Sequence, residues 1–388
     1  MIIALLGRQP KIGIAELESI CGADALQPLG DHAALLHVES VDPERLGGTI
    51  KLAKPLIELS TTAWPKLIDY VAKALPEHVG YIPEGKIKLA IGTYGLTINA
   101  QQLFRAGLEL KKICRAAGRS VRIVPPQQNA TAPNSAQTLH NQLTGPLGME
   151  LLLIKNGTST WLAQTTWVQD IDDYARRDYG RPKRDAFVGM LPPKLAQQML
   201  HLAQVESGQT VLDPFCGTGV VLQEAALAGC NAYGSDVQQK MIDFTHENLE
   251  WLAKQYNLNI QQKLEAADAT NHKWKAPLDH VVCETYLGQP LSGLPSPAKL
   301  NDIISTCDTI TKKFLRNLRP QLAPGSRHCL AVPAWRVGNN FRHLSTLDHL
   351  EDLGYNHVRF QHANAQNDLI YHREDQIVAR ELLVITVK

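Results

Sequence analysis

The sequence predicts an α/β protein whose C-terminal half is a mostly parallel sheet wrapped by helices on both faces. Three observations carry that expectation. Strands and helices alternate from about residue 193 onward, an apolar strand over 210–213 runs into a loop of small residues that opens a helix, and acids stand at the ends of three successive strands, Asp213, Asp236 and Asp268. In order, the pattern reads as helix 193–203, strand 210–213, helix 219–227, strand 231–236, helix 239–256, strand 260–266, strand 280–284, helix 298–318, strand 327–332, helix 341–350, strand 357–361 and strand 377–386.

Ahead of this half, residues 1–50 read as a small α/β domain of strand 2–6, helix 14–20 and strand 33–38, too small to be stable alone. A second domain over 51–168 shows helix 64–74, strand 86–92, helix 101–117 ended by Gly118, strand 120–124, a loop opened by Pro125-Pro126, helix 135–143 and strands 151–155 and 158–164. Residues 169–192 read as a linker, because the stretch around 170–194 is dense in charge and carries Pro182, Pro192 and Pro193; the last domain is 193–388.

Composition sets outer limits. With 388 residues, 44% hydrophobic and 20% charged, the chain can bury substantial cores and is not a disordered tail. No apolar run approaches the roughly 20 residues that cross a bilayer, and the first residues lack the basic flank of a secretion signal, so a soluble, cytoplasmic protein without a membrane partner is expected. Seven cysteines without a Cys-x-x-Cys pair argue against a disulfide framework or structural zinc, and fourteen histidines show no His-Glu-x-x-His spacing, so no metal is expected. A net charge of +1 excludes a globally basic nucleic-acid binder. Locally the balance differs: between Lys86 and Arg122 there are eight basic residues and a single acid, Glu109. Lys111, Lys112 and Arg115 share a broad helix face that Arg119 and Arg122 continue.

The strongest motif is Val211-Leu212-Asp213-Pro214-Phe215-Cys216-Gly217-Thr218-Gly219. Glycines there let a ligand approach the backbone at a helix N-terminus. Asp236, at the end of the next strand, can accept both hydroxyls of a ribose, and Asp268 could reach an adenine amino group. No Gly-Lys-Ser/Thr follows the loop, and Leu222 stands where the dinucleotide fingerprint needs its third glycine. An adenosine ligand without pyrophosphate fits best.

The Asp-Pro-Phe-Cys-Gly-Thr-Gly string resembles the S-adenosylmethionine loop of class I methyltransferases, in the branch acting on exocyclic amines of nucleic-acid bases. Arg177 to Pro182 and the segment from Gly189 to Ala196 are similar to the stretch that precedes this loop in THUMP-domain tRNA guanine-N2-methyltransferases, and Leu6-Gly7-Arg8-Gln9-Pro10 with Ala15-Glu16-Leu17 is similar to that family's N-terminal domain. Leu108 to Lys112, Gly118 to Arg122 and Asn134 to Gln137 resemble a THUMP domain, an RNA-binding module. The resemblance implies a Rossmann-like class I methyltransferase sheet behind a THUMP-like domain, with S-adenosylmethionine as cofactor and RNA, tRNA above all, as partner. It implies a cofactor set of Asp213, Phe215, Gly217, Gly219, Asp236, Val237, Asp268 and Ala269, and phosphate contacts from Lys111, Lys112, Arg115, Arg119 and Arg122.

One departure stands out. The family carries Asp/Asn-Pro-Pro-Tyr after its fourth strand, where the acid or amide accepts a hydrogen bond from the target amine and the aromatic stacks on the flipped base. Here His280-Val281-Val282-Cys283 runs into Glu284-Thr285-Tyr286-Leu287-Gly288. Glu284 takes the place of the acid, both prolines are gone, and Tyr286 is the available aromatic, one step out of register. These two are the candidate catalytic residues; a solvated strand-end carboxylate and a packing aromatic are the plain alternatives. Two further functions stay open beside an RNA guanine-N2 methyltransferase: a non-catalytic RNA-binding protein that retains the fold, and a DNA adenine-N6 methyltransferase.

Overall fold

The computed structural model describes residues 1–128, 130–185, 190–275, 277–291 and 293–388, and it divides into two units, Met1–Ile14 with Cys21–Asp173 and Ala15–Ile20 with Tyr174–Lys388. Gly189 of the segment compared above lies outside the described residues.

In the first unit, apolar runs become strands of a single sheet in the order β2-β3-β1-β4-β8-β7-β5-β6. Its elements are β1 (Ile2–Leu6), α1 (Pro10–Cys21), β2 (Leu26–Leu29), β3 (Ala33–Leu36), β4 (Thr49–Leu59), α2 (Trp64–Gly80), β5 (Ile87–Tyr94), α3 (Ala100–Ala116), β6 (Val121–Ile123), α4 (Ser135–His140), β7 (Gly148–Asn156) and β8 (Ser159–Val168). The sheet runs across residue 50, since β4 pairs with β1 on one side and β8 on the other. No element was expected over 51–63. Pro55 hides this strand from a reading of local propensity, and the structure accommodates it with a register shift between Pro55 and Ile57. Helices α2 and α3 bury Leu67, Val71, Leu103 and Leu110 against Ile87, Leu89, Met149 and Leu151 of the sheet.

The segment read as a linker contains α5 (Ile171–Tyr179). Asp170 caps it, its Oδ1 accepting from the amides of Asp172 and Asp173 at 3.0 and 2.9 Å. Acids in the first turn and Arg176 and Arg177 in the last suit the helix dipole. Arg177 anchors the end of the helix through a buried ion pair, Nε to Glu224 Oε1 at 2.9 Å.

The second unit continues with α6 (Pro193–Leu202), β9 (Thr210–Asp213), α7 (Val220–Leu227), β10 (Asn231–Asp236), α8 (Gln239–Tyr256), β11 (Gln262–Ala266), β12 (His280–Glu284), α9 (Pro297–Leu318), β13 (Arg327–Val337), β14 (Asn340–Arg342), β15 (Tyr355–His357), β16 (Ile370–Tyr371) and β17 (Val378–Val387). The strand order is β11-β10-β9-β12-β13-β17-β15, with β14 added to β13 and β16 to β17. Pairing is parallel from β11 to β13 and antiparallel at β17 and β15. Successive residues of β10 face opposite sides, as strand geometry requires: Ala232 packs with Leu222, Leu249 and Leu252, whereas Tyr233 belongs with Val281, Cys283 and Phe314. Helices α7 and α8 thus cover one face and α9 the other. The order reverses between β9 and β12, and there the carboxyl ends of the strands open a crevice.

Residues 341–350 do not form the expected α-helix. Phe341 lies in β14, and Ser345–His349 is a 3₁₀ helix. The apolar spacing of three, Leu344, Leu347 and Leu350, is the period of a 3₁₀ turn, and Asp308 of α9 accepts from the Thr346 amide and the Ser345 hydroxyl, both at 2.8 Å.

Candidate functional site

Strand β9 ends on Asp213, which is 2% exposed and turns the chain by accepting the Phe215 amide at 3.1 Å. Burial pushes its carboxyl well above the ordinary range, and the nearby Asp236 and Glu284 carboxylates push the same way against that hydrogen bond. Gly217 and Gly219 take φ of +51° and +81°, a region natural to glycine. Thr245 of α8 fastens this loop by donating to the Gly217 carbonyl at 2.9 Å, and a Cβ on Gly219 would lie 2.8 Å from Thr245 Cγ2. Gly219→Ala is therefore expected to lower stability by about 1–3 kcal/mol, read as a reduced Tm.

Strand β10 delivers Asp236 to the same loop. Its Oδ2 accepts the Gly217 amide at 3.1 Å and its Oδ1 the Gln238 amide at 2.9 Å. The Val237 amide also faces this carboxylate, and an ionised carboxylate has about four acceptor positions, so capacity remains for ribose hydroxyls. Asp268 lies beyond the end of β11 and closes a turn on Thr270, accepting its amide at 2.8 Å and its hydroxyl at 2.7 Å. These bonds hold its carboxyl below the usual value.

A cavity of about 650 Å³ opens at this edge of the sheet. Phe215, Gly217, Asp236, Val237, Asp268 and Ala269 line it, together with Glu284 and Tyr286. The volume lies within the ~300–1,000 Å³ of small-molecule sites. The acceptors Asp236 and Asp268, the apolar Val237 and Ala269, and the Phe215 ring, set edge-on against Phe314 at 5.0 Å, give the cavity a lining that suits an adenosine. Asp213 instead lines a smaller adjoining space with Met190, Leu191 and Glu284, and Gly219 serves as the N-cap of α7.

Glu284 is not a solvated strand-end acid. Its side chain is 15% exposed and Arg380 of β17 donates Nε–H to Oε1. Burial raises its pKa and the Arg380 guanidinium opposes that rise. Glu284 lines both the large cavity and the smaller space beside Asp213. Tyr286 is 39% exposed on the cavity wall, with Leu287 and Gly288 beside it. Arg380 and the cavity-lining Lys313 of α9 escaped the sequence reading, because neither belongs to a local motif and only the sheet order and helix packing bring them here.

In the first unit, Lys112, Arg115 and Arg122 are exposed and Lys111 is half-buried. Arg119 departs from this group. Its guanidinium donates to the carbonyls of Val79 and Ile82 at 2.5 and 2.8 Å and of Pro83 at 2.6 Å, closing the C-terminal end of α2. Arg119→Ala is expected to destabilise this unit by about 2 kcal/mol, measurable by denaturant unfolding.

The glycine loop, the acid at the second strand and the order of the seven-strand path define a class I methyltransferase fold. The family model for the RMKL-like methyltransferase domain matches residues 181–352. A protein of Methanothermococcus thermolithotrophicus named "Probable tRNA (guanine(10)-N2)-dimethyltransferase" is 31% identical over 126 residues, which cover 31% of this chain and 74% of that relative. The tRNA (guanine(10)-N2)-dimethyltransferase of Methanothermobacter thermautotrophicus is 30% identical over 155 residues, 39% of this chain and 42% of the relative, so the match spans less than half of that protein. The crystal structure of TrmN from Thermus thermophilus shares the fold over 100% of this chain and 99% of its own, with a TM-score of 0.55 at 17% identity. The chain belongs to the tRNA (guanine(10)-N2)-dimethyltransferase family.

Proposed function

We propose that this chain methylates an exocyclic amine of a base in structured RNA, with guanine N2 of a tRNA as the target, working in the cytoplasm. In this reading residues 193–388 carry the chemistry and 51–168 are a THUMP-like RNA-binding part. The observation that carries it is the placement of Glu284 and Asp236 on the wall of a single cavity.

S-adenosylmethionine, when bound, supplies an electrophilic methyl group on a sulfonium sulfur. The chain's own residues do the rest. Asp236 would hold the ribose through its free acceptor positions, with Val237 and Ala269 against the adenine. Glu284 accepts an N–H of the target amine, turning the nitrogen lone pair toward the methyl group; as the N–C bond forms and the C–S bond breaks, the carboxylate stabilises the positive charge on nitrogen and takes up the proton that leaves it, passing it to solvent. Arg380 holds that carboxylate in place and opposes the rise in its pKa that burial causes. Tyr286 offers a ring face to the base. Lys111, Lys112, Arg115 and Arg122 supply phosphate contacts in the first unit.

Incubating the protein with tritiated cofactor and bulk tRNA tests the reading. Label should enter tRNA, and nucleoside mass spectrometry should find it in N2-methylated guanosine. Tight cofactor binding with unlabelled tRNA contradicts it.

A further inference from the structure

Beside the reaction cavity the second unit holds another concavity, of about 270 Å³, that no step above uses. Arg184, Arg373, Arg380, Tyr179 and Tyr371 line it, and Asp178 is the acid on its wall. Arg184 lies over the Tyr179 ring at 4.9 Å, and that ring is 66% exposed. Arg373 is hydrogen-bonded to Tyr371 and lies near the Asp375 carboxylate, which tethers its guanidinium at the pocket wall. Tyr371 and Arg380 stand directly opposite each other on β16 and β17, so their side chains leave the same face of that ribbon.

The pocket is joined to the reacting centre by two residues. Arg380 lines it while giving its Nε–H to Glu284, and Met190 lines both it and the small space beside Asp213. Arg380 thus connects the wall of this pocket directly to the carboxylate at which a base would be presented. Guanidinium forks match phosphate oxygens two at a time, and exposed tyrosine faces accept stacked bases.

We infer that this pocket of Arg184, Arg373 and their tyrosines binds the phosphodiester backbone of the RNA strand flanking the target nucleotide, placing the base at Glu284. The inference rests on the RNA-methylating reading above. The carboxylate of the cofactor's methionine is the competing anion for these cations, and the test separates the two.

The experiment compares the wild-type protein with R184A/R373A and R184K/R373K, measuring kcat/KM for tRNA, tRNA Kd as a function of salt, and S-adenosylhomocysteine Kd by calorimetry. In the alanine variant kcat/KM for tRNA should fall about 10- to 100-fold, one to two decades for lost charged contacts. The slope of log Kd against log salt should flatten by about 1.4, two contacts on single-stranded RNA. S-adenosylhomocysteine affinity should stay within about twofold, which also reports an intact fold, and the lysine variant should recover part of the RNA affinity. Unchanged RNA kinetics and slope, with the wild type active on tRNA, overturn the pocket assignment alone. Loss of S-adenosylhomocysteine affinity without loss of RNA affinity overturns it in favour of the cofactor carboxylate. A wild-type protein that neither binds nor methylates tRNA removes the functional reading and this pocket together.

Discussion

Asp236→Ala is expected to weaken S-adenosylhomocysteine binding by about two decades while leaving the fold intact. The carboxylate accepts the Gly217 and Gln238 amides and lines the cavity, where it can accept ribose hydroxyls. Hydrogen bonds to a charged group contribute about 1.5–3 kcal/mol each, so losing two of them costs about 3 kcal/mol at the lower end. The substitution also frees the Gly217 amide, which loosens the loop under the ligand. Asp236→Asn separates the two effects, since the amide oxygen still accepts and the shape is kept; it should recover part of the affinity. Titration calorimetry on the three proteins reads this directly, and equal affinity in all three would remove Asp236 from the site.

Glu284→Gln is expected to lower kcat for RNA methylation by about 10²-fold with little change in cofactor affinity, the scale for losing a positioned acid–base group. The glutamine keeps the shape and one acceptor oxygen but removes the charge that answers the positive nitrogen. The pH profile follows from the burial of this residue. Its carboxyl sits above the ordinary glutamic value because burial disfavours the charged form, and Arg380 opposes that shift. Only the ionised form accepts at both oxygens, so kcat/KM should rise with pH through the raised pKa. In Arg380→Ala the opposing guanidinium is gone, the rise should move to higher pH, and kcat at neutral pH should fall. An acid limb at the same pH in both proteins would place the controlling group elsewhere.

Much of the C-terminal half was legible in the sequence because its signals are local. Strands β9, β10 and β12 end on acids that halt apolar runs, and the Gly217–Gly219 loop needs left-handed backbone that few other residues adopt. These signals point to Asp236, which lines the cavity. What escaped depends on partners distant in the chain. Arg380 meets Glu284 only because β17 inserts beside β13, and nothing near either residue announces the pair. Arg119 read as one more cation on a basic face, yet three carbonyls of the α2 terminus hold it. Strand β4 was masked by Pro55, and α5 by a charge density that suggested solvent, although its capping Asp170 and its graded charges were a usable helix signal.

The most direct test of the whole account is a crystal structure of the protein with S-adenosylhomocysteine. The account predicts both ribose hydroxyls within hydrogen-bond distance of the Asp236 carboxylate, the adenine between Val237 and Ala269, and the sulfur on the side of the cavity nearest Glu284. A ligand seated away from the Gly217–Gly219 loop, or a ribose that does not touch Asp236, would contradict it.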